Sequence, residues 1–434
     1  MKYKYICCIV CMLLAVCMFA QAPDILWTKT YGGVMEDIGY SIQQTSDGGY
    51  IVAGYTESFG AGEKDVWILR LDSLGDTLRT KTYGEAGWDL AASIQHTTDN
   101  GYIVVGTKVF CILDGVWLLK ISDYGDTLWT KTIGFPGTYG GWGGSDVKQT
   151  SSGGYVITGG AGGHGWGGTF LMRTDALGDT LWTNGNGGNT VQETSDGNFV
   201  IAGTNSFSAT HEFYLTKVDT LGTVLWYQEY GSPHSKGTDV LETSDDSLTA
   251  CGSSWGGVSW DIWLIRTDAN GDTLWTKRFC EGVAHSLDKT LDGGYIMVGE
   301  TSEDVVFIRT DSLGDTLWTA VYGGPGYDCL YSVLQTSDGG CIAVGETSSF
   351  GAGNADVWIV KLGPDVGVEE NKNIVFDNEN RFTSIFRGPL QLPEGKKCRA
   401  FDITGRIVEP INMIPGIYFL EIDGKIVQKV VKIR

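Results

Sequence analysis

Positive charge is scarce in this chain: 31 Lys and Arg stand against 52 Asp and Glu, a formal net charge of −21. No basic cluster interrupts the acidity, which excludes a nucleic-acid partner, since a phosphate backbone is held by lysine and arginine. Long apolar runs are missing after the first twenty residues, so no later segment spans a bilayer as a helix. Apolar residues at helical spacing are missing there too. No CxxC pair and no zinc-like His spacing appears, and the five histidines, His96, His164, His211, His234 and His285, hold unrelated positions. HExxH, GxSxG and a phosphate-cradling glycine loop are likewise absent. The sequence therefore assigns no catalytic residue, no metal ligand and no cofactor; calcium on clustered Asp side chains is the one ion the composition leaves open.

What the chain has is glycine and tryptophan, 63 and 15 of them in 434 residues, arranged in repeats. The stretch Asp311 to Thr319, DSLGDTLWT, recurs with a glycine four residues before an aromatic anchor, as in Gly125 and Trp129, Gly178 and Trp182, or Gly271 and Trp275. In one copy, Gly75, the anchor is replaced by Arg79, and a seventh anchor, Trp27, begins the series without its turn. A period of about 45–50 residues signals an array of small sheets that bury their apolar faces only against neighbours.

Each unit reads as four short strands, A to D. Strand A ends in a turn such as Thr45-Ser-Asp-Gly-Gly49, whose Asp-Gly or Asp-Asn pair supplies the positive φ of a tight hairpin. Strand B ends in glycine at residues 54, 106, 159, 203, 252, 299 and 345, a position suited to a bulge or to close approach of the adjacent blade. Strand C carries one basic residue per unit (Arg70, Lys120, Arg173, Lys217, Arg266, Arg309, Lys361), expected to pair with Asp or cap carbonyls between blades. Strand D holds the tryptophan. Asp72, Asp175, Asp219, Asp268 and Asp311 in the C-to-D turns read as turn caps rather than catalytic acids.

The chain opens on a lone D strand, Ile25 to Tyr31, and the repeats close on a lone C strand, Val357 to Leu362. Joining them completes a seventh unit and leaves no free sheet edge. The expected fold is all-β: a seven-bladed β-propeller over 23–362 closed by its N-terminal strand, an acidic linker over 363–378, and a small C-terminal β-sandwich over 379–434. The innermost strands are expected to present Gln43, Gln95, Lys148, Gln192, Leu241, Asp288 and Leu334 to the axis, a set without the arginine triad of a sialidase.

Residues 1–22 read as a cleaved export signal: Lys2 and Lys4, an apolar run from Ile6 to Phe19, then Ala20-Gln21-Ala22. Cys7, Cys8, Cys11 and Cys17 leave with it; the remaining six cysteines are expected to be mostly buried free thiols, with Cys329 and Cys341 not opposed in their hairpin.

The segment Asp175-Ala-Leu-Gly178-Asp-Thr-Leu-Trp182 resembles the tryptophan-docking repeat of pyrroloquinoline-quinone-type propellers and, with one extra residue, the Asp-box of sialidase-type propellers. Both are structural motifs in their families. Taken whole, the DGGYIVAG and DTLWTKTYGG repeats resemble a family of exported bacterial propellers. Lys397-Cys-Arg-Ala-Phe-Asp-Ile-Thr-Gly-Arg406, Pro415-Gly-Ile-Tyr-Phe-Leu-Glu421 and the basic end Lys429–Arg434 resemble the C-terminal sorting domain of type IX secretion substrates, although the usual Pro-Asn-Pro opening is missing. The resemblance implies engagement of the type IX machinery and a secreted, extracellular or cell-surface protein.

Function is then sought where units depart from the repeat. Loops on the face shared by the D-to-A and B-to-C connections swell with glycine and aromatics, giving Tyr139, Trp142, His164, Trp166, Trp255 and Trp260 as candidate binding residues. The expected function is a non-catalytic binding or adhesion module for a glycan or surface protein. The alternative is a glycan-active hydrolase, which needs two acids within reach of one sugar.

Overall fold

The computed structural model describes residues 22–110, 113–134, 141–162, 168–205, 211–231, 234–302 and 304–365, then 385–386, 398–402, 406–409, 416–422 and 425–432. The chain divides into two compact units after Asp365. The first is a seven-bladed β-propeller in which every blade is a four-stranded antiparallel sheet. Blade 1 is typical, with strands A (Asp37–Gln44), B (Tyr50–Thr56), C (Asp65–Leu71) and D (Thr77–Tyr83). Its A-to-B turn closes with Thr45 N–H donating to Gly49 O at 2.9 Å and Gly48 at φ +82°.

Ring closure follows the reading of the two lone strands. Ile25–Tyr31 pairs antiparallel with Asp356–Leu362, from Ile25 opposite Leu362 to Tyr31 opposite Val357, and supplies strand D of blade 7. The indole of Trp358 donates to Thr28 Oγ1 at 2.7 Å across this seam. Blades then pack face to face through apolar side chains. Ile51, Ala53 and Ile68 of blade 1 meet Ile94, Tyr102 and Val104 of blade 2. Across the closure, Ile342, Val344 and Ile359 meet Ile42, Val52 and Leu69.

Strand D explains the repeated tryptophan. Trp27 lies over Gly75 of the next blade, so close that a Cβ there would sit 2.9 Å from the indole, and Trp129 lies over Gly178 in the same way at 2.7 Å. The turn aspartate caps its own loop: Asp175 Oδ1 accepts from Leu177 N–H and Asp179 N–H, both at 2.9 Å. Lysines two residues past the anchor add inter-blade ion pairs, Lys29–Asp76 at 2.5 Å and Lys131–Asp179 at 2.5 Å. Where the anchor is Arg79, its guanidinium stacks on Tyr124 at 4.8 Å and takes over the contact with the next blade.

Two expectations are met in part. The basic residue of strand C pairs with the A-to-B turn of its own blade, Arg70 with Asp47 at 2.5 Å, Lys120 with Asp99 at 2.9 Å, Lys361 with Asp338 at 2.9 Å, and in two blades it also bonds across to the next, Arg309 to Asp365 and Arg266 to the Tyr295 hydroxyl, both at 2.7 Å. Strand C and the A-to-B turn of one blade are neighbours through strand B, so the turn aspartate is the nearest anion, and a cation as covered as Lys361 (side chain 2% exposed) requires one. In blade 3 the turn holds Ser152 instead, and Arg173 donates to its hydroxyl at 2.6 Å. The glycine of strand B also meets its own blade. A Cβ on Gly54 would lie 1.8 Å from Ile38 O, where strand A bulges between Gly39 and Ser41.

Cys251, Cys329 and Cys341 are buried free thiols, whereas Cys280 is exposed; Cys111 lies outside the described residues. The second unit contains one four-stranded sheet, in the order Ile385–Phe386, Lys425–Lys432, Gly416–Ile422, Cys398–Asp402. The first pair is parallel and the others antiparallel. The second sheet that a sandwich requires is not among the described residues, and neither are Thr404 and Gly405 of the sorting-domain resemblance, residues 1–21, or most of the expected linker. Among the described residues no helix is long and apolar enough to cross a membrane.

Candidate functional site

Seven A strands surround an axial channel with a cavity of about 470 Å³. Period-two alternation along each strand sends one set of side chains into the channel and the next back into the blade. Of the seven positions read from the sequence, Gln43, Lys148, Gln192, Leu241, Asp288 and Leu334 line it, whereas Gln95 is not among the lining residues and accepts from Gln149 N–H of the next blade. Two registers earlier the strands contribute a tighter ring, in which hydroxyls and carboxylates stitch neighbouring blades. Asp146 accepts from Ser93 Oγ at 2.8 Å and from Val191 N–H at 3.1 Å, and Asp239 accepts from Val240 N–H at 2.9 Å and Leu287 N–H at 3.0 Å.

Lys148, of the first set, supplies the cation beside this ring, 2.9 Å from Asp146. Burial pushes the Asp239 carboxyl up to about 6; the Leu287 and Val240 amides and Lys148 offset part of that, and Asp146 adds to it. Desolvation likewise raises Asp288 above the usual carboxylate range. A raised folded-state pKa gives Asp239 a stability cost that is absent below about pH 4, grows as pH rises, and is complete above about pH 6. Because Asp239 opens on channel water, the cost is about 1–2 kcal/mol rather than the full linkage value of about 3 kcal/mol. Asp239→Asn is therefore expected to gain stability over the parent between pH 4 and 7 in denaturant melts. A difference that stays constant over this range would show that the carboxylate is not penalised.

Around one mouth of the channel, on the face of the D-to-A and B-to-C loops, lies a second polar group. Glu36 accepts from Tyr55 Oη and from Lys64 Nζ, the latter at 2.9 Å, and Lys64 also meets Glu57 at 3.1 Å. Glu346 accepts from Tyr331 Oη, and burial raises its carboxyl, with Glu36 and Glu300 adding to the effect. Glu300 accepts from Tyr327 Oη at 2.6 Å and lies 3.8 Å from His285 Nε2. These acids, tyrosines and His285 occupy positions that are small or apolar in most other blades. His285, for example, matches Ala92, Ser145 and Thr238 in register. A blade-by-blade alignment of strand A carries that signal, and a search for short motifs does not.

The same face exposes an arc of apolar side chains over blades 7, 1 and 2: Phe350, Tyr327, Val34, Met35, Phe59 and Trp88. The loops that carry them are interlocked. Asp37 N–H donates to Ala355 O at 2.9 Å, Asp89 N–H donates to Lys64 O at 2.7 Å, and Met35 N–H donates to Ser58 Oγ at 3.1 Å. Val34 is 75% exposed and Trp88 48%, with the Trp88 indole held by Glu63 at 2.5 Å and Lys64 Nζ 5.5 Å from its ring.

Of the six candidate binding residues, Trp255 and Trp260 face each other across a hairpin end in blade 5, ring centroids 5.8 Å apart, both half-buried. Lys236 Nζ sits 5.0 Å from the Trp260 ring, and Val258 at the tip between them is 90% exposed. Trp142 lies on strand A of blade 3, whereas Tyr139, His164 and Trp166 fall outside the described residues.

No family model and no curated protein matches the chain. Solved structures similar to it include Sqt1 of Chaetomium thermophilum, at 10% identity and TM-score 0.48, covering 80% of this chain and 99% of that one. The Dos1 propeller is similar at 11% identity and TM-score 0.49, covering 78% and 95%. A protein of unknown function from Dyadobacter fermentans is similar at 11% identity and TM-score 0.44, covering 78% and 100%. None of these likenesses bears on function; what classifies the chain is its own sheet order, that of a seven-bladed β-propeller.

Proposed function

We propose that this propeller is a secreted or cell-surface binding module that holds a glycan or protein partner on its D-to-A and B-to-C loop face. The observation that carries the reading is the exposed arc from Phe350 to Trp88, large apolar groups set on loops that are themselves hydrogen-bonded into place. Rigid aromatic anchors bind at low ordering cost. Val34 and Met35 among them suit a protein surface better than a sugar ring, since an aliphatic side chain offers no flat face to stack. Trp255, Trp260 and Val258 form a second contact on blade 5, and Trp142, at the start of strand A of blade 3, belongs to the same proposal with Tyr139, His164 and Trp166 by sequence position.

The test applies labelled mature chain to a glycan array and to host surface-protein fractions, beside the Phe59→Ser/Trp88→Ala and Trp255→Ala/Trp260→Ala variants. A loss of about tenfold or more in affinity for the blade 1–2 pair is expected, as for truncated interface anchors. Unchanged binding in both pairs removes the face, and turnover of an arrayed glycan moves the protein to the hydrolase class. Secretion rests on the leader-like residues 1–22 and the sorting-domain resemblance of the C-terminal segment. Residues 365–434 appended to an exported reporter are expected to carry it out of a type IX-competent cell, and retention in the periplasm sinks that half of the reading.

A further inference from the structure

Three kinds of metal-donor atom meet where blade 6 joins blade 7. His285 stands on strand A of blade 6, Glu300 ends strand B of the same blade opposite Val283, and Cys329 is the second residue of strand A of blade 7. The imidazole nitrogen, a carboxylate oxygen and the sulfur lie within 4.8 Å of one another. Glu300 and His285 are 3.8 Å apart, beyond hydrogen-bond length, and the Nε2 atom is sealed from solvent with no hydrogen-bond partner. A buried polar atom left in that state costs stability unless something else completes it. The ring itself is oriented by an edge-on contact with Tyr331, centroids 5.5 Å apart.

The surroundings are short of positive charge. Glu36 and Glu346 are further carboxylates on this side of the mouth, while Lys64 is already engaged by Glu36 and Glu57. Cys329 is buried and free. Packing alone accounts for an inert thiol. It does not account for an orphaned imidazole nitrogen placed against that thiol and a carboxylate.

We propose that His285, Glu300 and Cys329 form a three-ligand site for a divalent transition metal, with zinc the ion best suited to one nitrogen, one oxygen and one sulfur donor. Binding forms the metal–sulfur bond as the Cys329 thiol gives its proton to solvent, while Nε2 and a Glu300 oxygen donate lone pairs. The ligand atoms close by roughly 1 Å to reach zinc-site spacing. The fourth position is left for water or an added ligand.

The mature chain, stripped with chelator, is titrated with cobalt(II) and then with zinc. One equivalent of cobalt is expected to produce a near-ultraviolet thiolate-to-cobalt charge-transfer band and intense visible bands of a four-coordinate ion, both abolished by zinc. Cys329→Ser should lose the charge-transfer band, and Glu300→Gln should weaken zinc binding at least tenfold. Cys280→Ser, which removes the exposed thiol, should leave the spectrum unchanged. A folded, stripped chain that gives no such band overturns the site, as does a band that survives Cys329→Ser or vanishes with Cys280→Ser. Should Cys329→Ser fail to fold, Glu300→Gln decides alone, and unchanged zinc affinity in it overturns the assignment.

Discussion

Deleting residues 23–33 is expected to lower the stability of the ring by about 5 kcal/mol or more, and its melting temperature by about 10 °C or more. The deletion removes the whole of strand D from blade 7, a seam running from Ile25 opposite Leu362 to Tyr31 opposite Val357. It also strips Trp27 from Gly75 and the Tyr31 hydroxyl from Gly75 O, a hydrogen bond of 2.5 Å. Loss of two aromatic anchors alone is worth several kcal/mol. Strand C of blade 7 would then present an unpaired edge of buried residues, Val357 to Leu362, which invites pairing with another chain. Thermal melts read the first effect and light scattering the second. A melting transition unchanged by the deletion would mean that the ring closes without this strand.

The closure was legible in the sequence because a propeller's ends are complementary: a D strand lacking its A, B and C can only complete an A-B-C set lacking its D. The A-to-B turns were legible for a local reason, since positive φ is confined to Gly48, Asn100, Asp246 and their counterparts, residue types that tolerate it. Pairings through strand B were not legible. Arg70 and Asp47 lie on different elements, and nothing in their spacing says that the turn of the same blade, rather than the next blade, lies beside the guanidinium.

Part of the exposed arc lies on a loop that two blades share, which a search for departures from the repeat does not single out. Ser58-Phe59-Gly60-Ala61-Gly62 and Ser349-Phe350-Gly351-Ala352-Gly353 are the same loop in blades 1 and 7. Each phenylalanine packs one face on the tryptophan of its own strand C, Phe59 on Trp67 at 5.5 Å and Phe350 on Trp358 at 5.8 Å, and shows the rest to solvent. His285, Glu300 and Cys329 escaped because donors on three strands of two blades have no fixed sequence spacing.

Gly54→Ala is expected to cost about 3 kcal/mol or more, lowering the melting temperature by about 5–10 °C. Six of the seven B-strand glycines face a carbonyl of strand A in their own blade, at distances a Cβ cannot occupy: 1.8 Å to Ile38 O from Gly54, 1.8 Å to Leu90 O from Gly106, 1.9 Å to Lys236 O from Gly252. The obstacle is backbone, so no rotamer change relieves it, and the bulge between Gly39 and Ser41 would have to open. That bulge sets which strand A side chains reach the channel, because slipping the register by one residue exchanges the two faces. The residue opposite gives the control. Gly39 pairs with Gly54, and its counterparts Ala91, Ala284 and Leu330 pair with Gly106, Gly299 and Gly345, so strand A accepts a side chain where strand B does not. At Gly39 a Cβ would meet Val344 Cγ2 at 2.6 Å and Val357 Cγ1 at 3.0 Å, side-chain atoms that can shift, and Gly39→Ala is expected to cost about 1 kcal/mol. Paired denaturant melts of the two variants decide it. Equal costs would assign the glycine to chain flexibility, whereas a cost at Gly54 well above that at Gly39 assigns it to the carbonyl that every such blade places against it.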